Sequence, residues 1–161
     1  MASITALLHT ENDGLRLGRA LETLYACDDI LVVDHGSRDF TVRIAHEYGA
    51  RVVEASAGFA QQDYLQFARA GWILILDPRE SLTEKLAASL IEWKSESLQA
   101  CGSGPAFSVF LREETAQGWI EVSAPQTRLV PLNWRFWNGR FPVQETSARA
   151  LEGEVLRFVF P

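Results

Sequence analysis

The sequence predicts an α/β fold: a mostly parallel central sheet with helices on both faces, continued by a β-rich C-terminal half. Three observations carry this. From the start to Trp93, short apolar runs alternate with segments of helical periodicity. Each apolar run ends in a polar cluster, as strands of an open parallel sheet do at the edge where ligands bind. From Gln99 the helical period gives way to short runs separated by turn residues.

The elements follow in order. Ile4 to Leu8 reads as a buried strand, followed at once by His9-Thr10-Glu11-Asn12-Asp13-Gly14. Leu17, Ala20, Leu21 and Leu24 then share one helical face, with Asn12 or Asp13 as N-cap. Ile30-Leu31-Val32-Val33 is the second strand and stops at Asp34-His35-Gly36-Ser37. Asp39 caps a helix whose Ile44, Ala45 and Tyr48 face the core, and Gly49 ends it. Arg51 to Glu54 is a short third strand. A third helix is expected from about Ala60 to Ala70, with Ala60, Tyr64, Phe67 and Ala68 inward. Trp72 to Leu76 is the most apolar strand and ends at Asp77-Pro78-Arg79-Glu80. Ser81 and Glu84 fit a capping box ahead of a helix carrying Leu82, Leu86, Leu90 and Trp93.

In the second half, Cys101 to Pro105 reads as a loop. Phe107–Leu111, Trp119–Val122, Thr127–Leu132 and Val155–Phe160 read as strands. Trp134, Phe136, Trp137 and Phe141 crowd around an Asn138-Gly139 turn. Such a cluster is core, a subunit interface or a platform facing sugar or lipid.

Composition bounds the function. A chain of 161 residues, 47% hydrophobic and 22% charged, is one domain with a core of its own, needing no disulfide or metal staple. Lys+Arg 15 against Asp+Glu 21 leaves a formal charge of −6, the wrong balance for a general nucleic-acid partner. Cys27 and Cys101 stand in no metal-ligand spacing and read as unreactive thiols of a reduced, cytoplasmic protein. No run is long enough for a membrane span, and the start lacks a signal-peptide pattern. His9 and His35, at strand ends, are candidate bases or hydrogen-bonded loop histidines, and His46 is a surface residue. Phosphate loops of the Rossmann or Walker kind are absent, which argues against a nucleotidyltransferase.

Four segments, in order and at matching spacing over about residues 3 to 95, carry a resemblance: Thr10-Glu11-Asn12-Asp13, Val32 to Thr41, Gly58 to Tyr64, and Trp72 to Glu80. They resemble family 2 glycosyltransferases of GT-A fold, especially bacterial enzymes that add sugars to lipopolysaccharide core or similar cell-envelope glycans. The family's second strand ends Val-Val-Asp-Ser-Gly-Ser-Thr-Asp, where this chain has Val32-Val33-Asp34-His35-Gly36-Ser37-Arg38-Asp39. Its fourth ends in Leu-Asp-Ala-Asp-Glu, where this chain has Leu76-Asp77-Pro78-Arg79-Glu80.

The resemblance implies a single GT-A-like domain, with residues 1–98 as nucleotide-binding half and 99–161 as a β-rich, acceptor-side half shorter than the family's. It implies transfer of a sugar from a nucleotide-sugar donor, a UDP-sugar first, to a glycan or lipid-linked acceptor, in the cytoplasm or at the inner face of the membrane. Thr10, Asp13, Asp34, Gly36 and Ser37 would line the nucleotide pocket. Asp77 would be the first carboxylate of an Asp-x-Asp motif that holds Mn²⁺ or Mg²⁺. Arg140 to Glu145 resembles a Val-His-Glu segment near the acceptor, which makes Glu145 the candidate catalytic carboxylate, with Gln144 in the His position.

The departures count against that metal. Arg79 stands in place of the second Asp and offers a cation no ligand. Glu11 and Asp63 stand in place of lysines. Arg79 therefore either pairs with Asp77 or Glu80, or clamps the diphosphate itself. The alternative function is a degenerate, non-catalytic GT-A domain acting as a binding or assembly module. The shortened second half and its aromatic segment raise the expectation of a homodimer.

Overall fold

A computed structural model describes residues 1–96, 105–122 and 124–160. Along the chain run β1 (Ile4–Thr10), α1 (Gly14–Glu22), β2 (Asp29–Asp34), α2 (Thr41–Glu47), β3 (Arg51–Glu54) and α3 (Gln61–Tyr64) with a 3₁₀ turn at Leu65–Phe67. Then come β4 (Trp72–Ile75), β5 (Glu80–Leu82), α4 (Glu84–Glu96), β6 (Phe107–Thr115), β7 (Gly118–Glu121) and β8 (Gln126–Pro131). The chain closes with β9 (Trp137–Asn138), β10 (Phe141–Pro142) and β11 (Arg149–Arg157). Of the loop expected at Cys101–Pro105, residues 101–104 lie outside the described residues.

One nine-stranded sheet takes strands from both halves, in the order β3-β2-β1-β4-β8-β6-β11-β5, with β7 added to β6. Strands β3, β2, β1 and β4 run parallel, and β8 pairs antiparallel with β4 through Trp72↔Pro131 and Leu74↔Leu129. The amino end of β8 therefore lies at the same sheet edge as the carboxyl end of β4. Strands β9 and β10 form a separate antiparallel ribbon.

Alternation along the strands builds a core on each face. Ile4, Ala6 and Leu8 of β1, Val32 of β2 and Trp72 and Leu74 of β4 join Leu17, Ala20 and Leu21 of α1, Ala45 of α2 and Leu86, Leu90 and Trp93 of α4. Leu7, Leu31, Val33, Ile73 and Ile75 pack on the other face with Tyr64 and Leu65. Trp134, Trp137 and Phe141 pack against that second core, while Phe136 projects outward at 65% exposure. Gly153, at φ +95°, lets β11 touch the start of α4: a Cβ there would lie 2.3 Å from the Leu86 amide nitrogen.

Several local expectations are corrected. The third helix spans four residues before tightening into the 3₁₀ turn, and Gln61, Tyr64 and Leu65 are buried while Ala60 and Phe67 are exposed. Ser81 and Leu82 belong to β5, not to a helix cap, and the Thr83 hydroxyl caps α4 by accepting the Leu86 N–H at 3.2 Å. Tyr48 is exposed; its ring lies over Gly18 instead of entering the core. Strand β11 starts at Arg149 and stops at Arg157, short of Phe160. Asp13 holds the N-cap position of α1, but Asp39 supplies the carboxylate, accepting the Gly14 N–H at 3.0 Å and the Thr41 N–H at 2.9 Å.

Candidate functional site

The carboxyl ends of β1, β2 and β4 bring the predicted residues together. Because successive strand residues face opposite ways, Thr10 and Asp34 end up on the α1/α2 side, while His9 faces α3. Asp34 is almost fully buried. Its Oδ1 accepts the Thr10 hydroxyl at 2.8 Å and the Ser37 hydroxyl at 2.6 Å, and its Oδ2 accepts the Ser37 N–H at 2.9 Å. Burial alone raises a carboxyl pKa, but these hydrogen bonds outweigh it and hold Asp34 below its ordinary value. Gly36 turns the chain at φ +74° with nothing within 4 Å of where a side chain would point. Asp34, Gly36, Ser37, Val52 and Glu54 line a hollow of about 720 Å³ beyond β2 and β3.

Asn12, at φ 54°, donates its N–H to the Ser37 hydroxyl and accepts the Arg38 N–H on its side-chain oxygen, tying the two loops together. Asp13 accepts the Glu11 N–H at 2.8 Å. Burial, with Asp77 and Asp39 adding to it, raises the Asp13 carboxyl above its ordinary value.

Asp77 stands just past β4. Arg79 donates to it from Nε at 3.0 Å, from Nη2 at 3.5 Å and from its backbone N–H at 2.9 Å. Burial works to raise the Asp77 pKa, and these bonds lower it overall. Of the two roles expected for Arg79, the structure shows the pairing with Asp77. Among the described residues, no three His, Cys, Asp or Glu side chains group so as to hold a metal ion. A hard divalent ion takes six or more oxygens. An Asp77 already bound by a guanidinium does not fit that demand, so no step here is derived through a metal.

Under this turn lies a buried ionic network that sequence reasoning missed. Glu80 is fully buried and accepts Arg128 at 2.7 and 2.9 Å, Arg157 Nε at 3.2 Å and the Asp77 N–H at 2.9 Å. Arg128, also buried, donates to the Ile75 carbonyl at 3.1 Å and to Gln126 Oε1 at 3.0 Å. The network fastens the end of β4 to β8 and β11.

His9 is buried with both ring nitrogens engaged: Nδ1 lies 2.8 Å from His35 Nε2 and Nε2 lies 2.6 Å from Gln61 Oε1. Burial lowers its pKa to about 4, so it is a neutral bridge at ordinary pH. Gln61 in turn donates to the Arg140 carbonyl at 2.9 Å. Glu145 stands exposed at the same sheet edge, its N–H bonded to Thr127 Oγ1 at 2.9 Å and its carboxylate accepting Ser147. It lines a hollow with Trp134 and Arg149, separate from the one beside Asp34. Burial pushes the Cys27 thiol up to about 12, which leaves it unreactive.

Comparison with known proteins places this architecture. No protein-family profile matches the sequence. The chain is 36% identical over 92 residues to an uncharacterized glycosyltransferase of Rickettsia felis, covering 53% of this chain and 32% of that protein. It is 31% identical over 128 residues to a TPR repeat-containing protein of Synechococcus elongatus, covering 76% and 30%. The chain thus spans about a third of the length of these relatives. Among solved structures, S. aureus TarS superposes with a TM-score of 0.57 at 14% identity, over 81% of this chain and 28% of TarS. The chain has the GT-A fold. A 1–349 form of TarS in complex with UDP shares this GT-A fold at a TM-score of 0.54 and 16% identity, over 72% and 37% of the two chains. No helix of this GT-A domain, among the described residues, is long and apolar enough to cross a membrane.

Proposed function

We propose that this chain carries the donor-binding part of a glycosyltransferase, which moves a sugar from a nucleotide-sugar, a UDP-sugar first, to a glycan or lipid-linked acceptor. The observation that carries the reading is the Thr10–Asp34–Ser37 constellation at the edge of a GT-A sheet. A carboxylate has about four lone-pair positions. Thr10 and Ser37 occupy three of them, leaving one on Oδ2 for a base or ribose donor in the hollow beside it. The lowered pKa keeps Asp34 an acceptor at neutral pH. In this reading Thr10, Asp13, Gly36 and Ser37 shape the nucleoside site, residues 1–98 supply it, and residues 99–161 supply the acceptor side with Glu145 as the exposed carboxylate. The relatives named as glycosyltransferases and the TarS complex with UDP support the donor class.

The test is release of UDP from a panel of UDP-sugars offered with bacterial glycan fragments. Asp34→Asn is expected to abolish release while leaving the far-UV circular dichroism unchanged. Release undiminished in that variant would refute the assignment.

A second reading, a non-catalytic binding module, is favoured by one observation: Arg79 occupies Asp77 from three donors, where the metal motif would need a free carboxylate. Saturable UDP binding without turnover of any UDP-sugar selects it.

A further inference from the structure

On the opposite side of β1 and β2 from the Asp34 hollow lies a second one, of about 630 Å³. Its floor is His9, Gln61 and Tyr64, and one wall is the β9–β10 ribbon with Arg135, Trp137 and Arg140. This chain carries a formal charge of −6, yet among the described residues no Asp or Glu lines this hollow. Arg51, Arg79, Arg112, Arg128 and Arg157 each face a carboxylate. Among the described residues, neither Arg135 nor Arg140 takes part in an ion pair. His35 Nε2 lies 3.5 Å from Arg140 Nη2. Burial first, and then Arg140 itself, lower the pKa of that ring. Arg140 thus faces a neutral partner, and its charge is directed into the hollow uncompensated.

The ribbon that presents these arginines is held in place. Gln61 binds the Arg140 carbonyl, His9 binds Gln61, and the Trp137 indole N–H donates to the Trp134 carbonyl at 3.1 Å. The two hollows meet at His35 and Ala55, which line both. One side of this shared wall offers hydrogen-bond acceptors, Asp34 and Glu54. The other offers two guanidinium groups beside the aromatic surfaces of Trp137 and Phe59.

We propose that the Arg135–Arg140 hollow is a metal-independent oxyanion site that takes the phosphate groups of an organic phosphate. The organic part of the donor sits beyond the shared wall at Asp34, so that a nucleoside diphosphate bends over His35 toward the ribbon rather than toward Asp77. Guanidinium groups pair with phosphate oxygens in bidentate fashion and keep their charge at any working pH. They replace the charge that a divalent ion would supply, at a place where Asp77 and Arg79 already neutralise each other. The identity of the organic part rests on the nucleotide-sugar reading above; the oxyanion site does not.

Isothermal titration in EDTA at low salt tests this with UDP, uridine and inorganic pyrophosphate as probes. The proteins are the parent, Arg135→Gln, Arg140→Gln and Arg79→Gln. All three arginines are surface residues, so the variants are expected to keep the parent's circular dichroism. UDP is expected to bind without metal at least tenfold more tightly than uridine, and pyrophosphate to compete with it. Arg135→Gln and Arg140→Gln should each weaken UDP by about tenfold or more, the worth of a charge-assisted hydrogen bond, and leave uridine unchanged. Arg79→Gln should change UDP binding little. UDP binding that requires Mn²⁺, or that is lost in Arg79→Gln and kept in the other two, overturns the proposal and leaves the nucleotide-sugar reading standing. Pyrophosphate binding lost in the Arg135 and Arg140 variants, with no binding of UDP or uridine, keeps the oxyanion site and assigns it to a phosphorylated acceptor, while removing the nucleotide-sugar reading. No binding of any probe removes both.

Discussion

Glu80→Gln isolates the contribution of the buried network beneath the Asp77 turn. Glu80 has no solvent exposure and Arg128 has 1%, so neither charge is relieved by water. The substitution keeps the side-chain volume and one carbonyl oxygen. It removes the negative charge that faces two guanidinium groups, at 2.7 and 2.9 Å for Arg128 and 3.0 Å for Arg157. It also turns an amide donor toward donors. Breaking a buried pair in this way costs about 3–5 kcal/mol, against a total stability of about 5–15 kcal/mol for a domain. With a urea slope of about 2 kcal/mol per molar, the unfolding midpoint should fall by about 1.5–2.5 M. Arg79→Ala is the control: Arg79 is 44% exposed, and a surface pair of this kind contributes about 1 kcal/mol at most. Urea unfolding followed by circular dichroism reads both. A Glu80→Gln midpoint within about 0.5 M of the parent, roughly 1 kcal/mol at that slope, would refute the reasoning that this network fastens β4 to β8 and β11.

Other expectations follow from the same geometry. Because burial holds His9 at a pKa of about 4, the unfolded chain takes up its proton first as the pH falls. Stability from this group is full above about pH 6.5 and declines toward pH 4, by about 3 kcal/mol over the whole interval. Urea midpoints at pH 7.5 and 5.0 should differ in the parent and converge in His9→Gln; equal midpoints in the parent would contradict the burial argument. Arg79→Asp frees Asp77 and restores an Asp-x-Asp spacing, so Mn²⁺ should bind that variant and not the parent, as read by titration with the metal alone. Of the aromatic segment expected to mediate a homodimer, Phe136 is the ring left outward, at 65% exposure. Sedimentation velocity should show a two-copy species in the parent and an 18.0 kDa species in Phe136→Ser; a parent that runs as one copy removes the dimer.

Much of the first half was legible because its strands are buried on both faces. Trp72 to Ile75 and Ile4 to Thr10 are buried throughout, and the apolar runs Trp72–Leu76 and, broken by Thr5, Ile4–Leu8 mark them. The same runs end in polar clusters at the sheet edge, and the resemblance singled out Thr10, Asp34 and Ser37 among them. The errors came from local patterns that tertiary contacts overrule. Ala60, Tyr64, Phe67 and Ala68 imitate a helical stripe, but Gln61 is drawn inward by His9 and the Arg140 carbonyl, and the helix ends after four residues. Ser81 and Glu84 imitate a capping box, but pairing of β5 with β11 claims Ser81 for the sheet. The Glu80–Arg128–Arg157 network joins residues 48 and 77 positions apart, and nothing in a local window marks such a partnership. Arg135 and Arg140 flank the Asn138-Gly139 turn, which was readable, and which joins the two strands of a hairpin. The sheet edge that this hairpin covers was not, since that depends on how the second half folds back over α3.

The central claim is that the carboxyl edge of β1 and β2 receives a nucleoside diphosphate. Amide chemical shifts of the ¹⁵N-labelled chain during a UDP titration test it most directly. The account predicts saturable shifts at Thr10, Asp13, Asp34, Gly36 and Ser37, with Arg140 moving in the same titration. Saturable shifts confined to other parts of the chain, or no shifts at millimolar UDP, would contradict it.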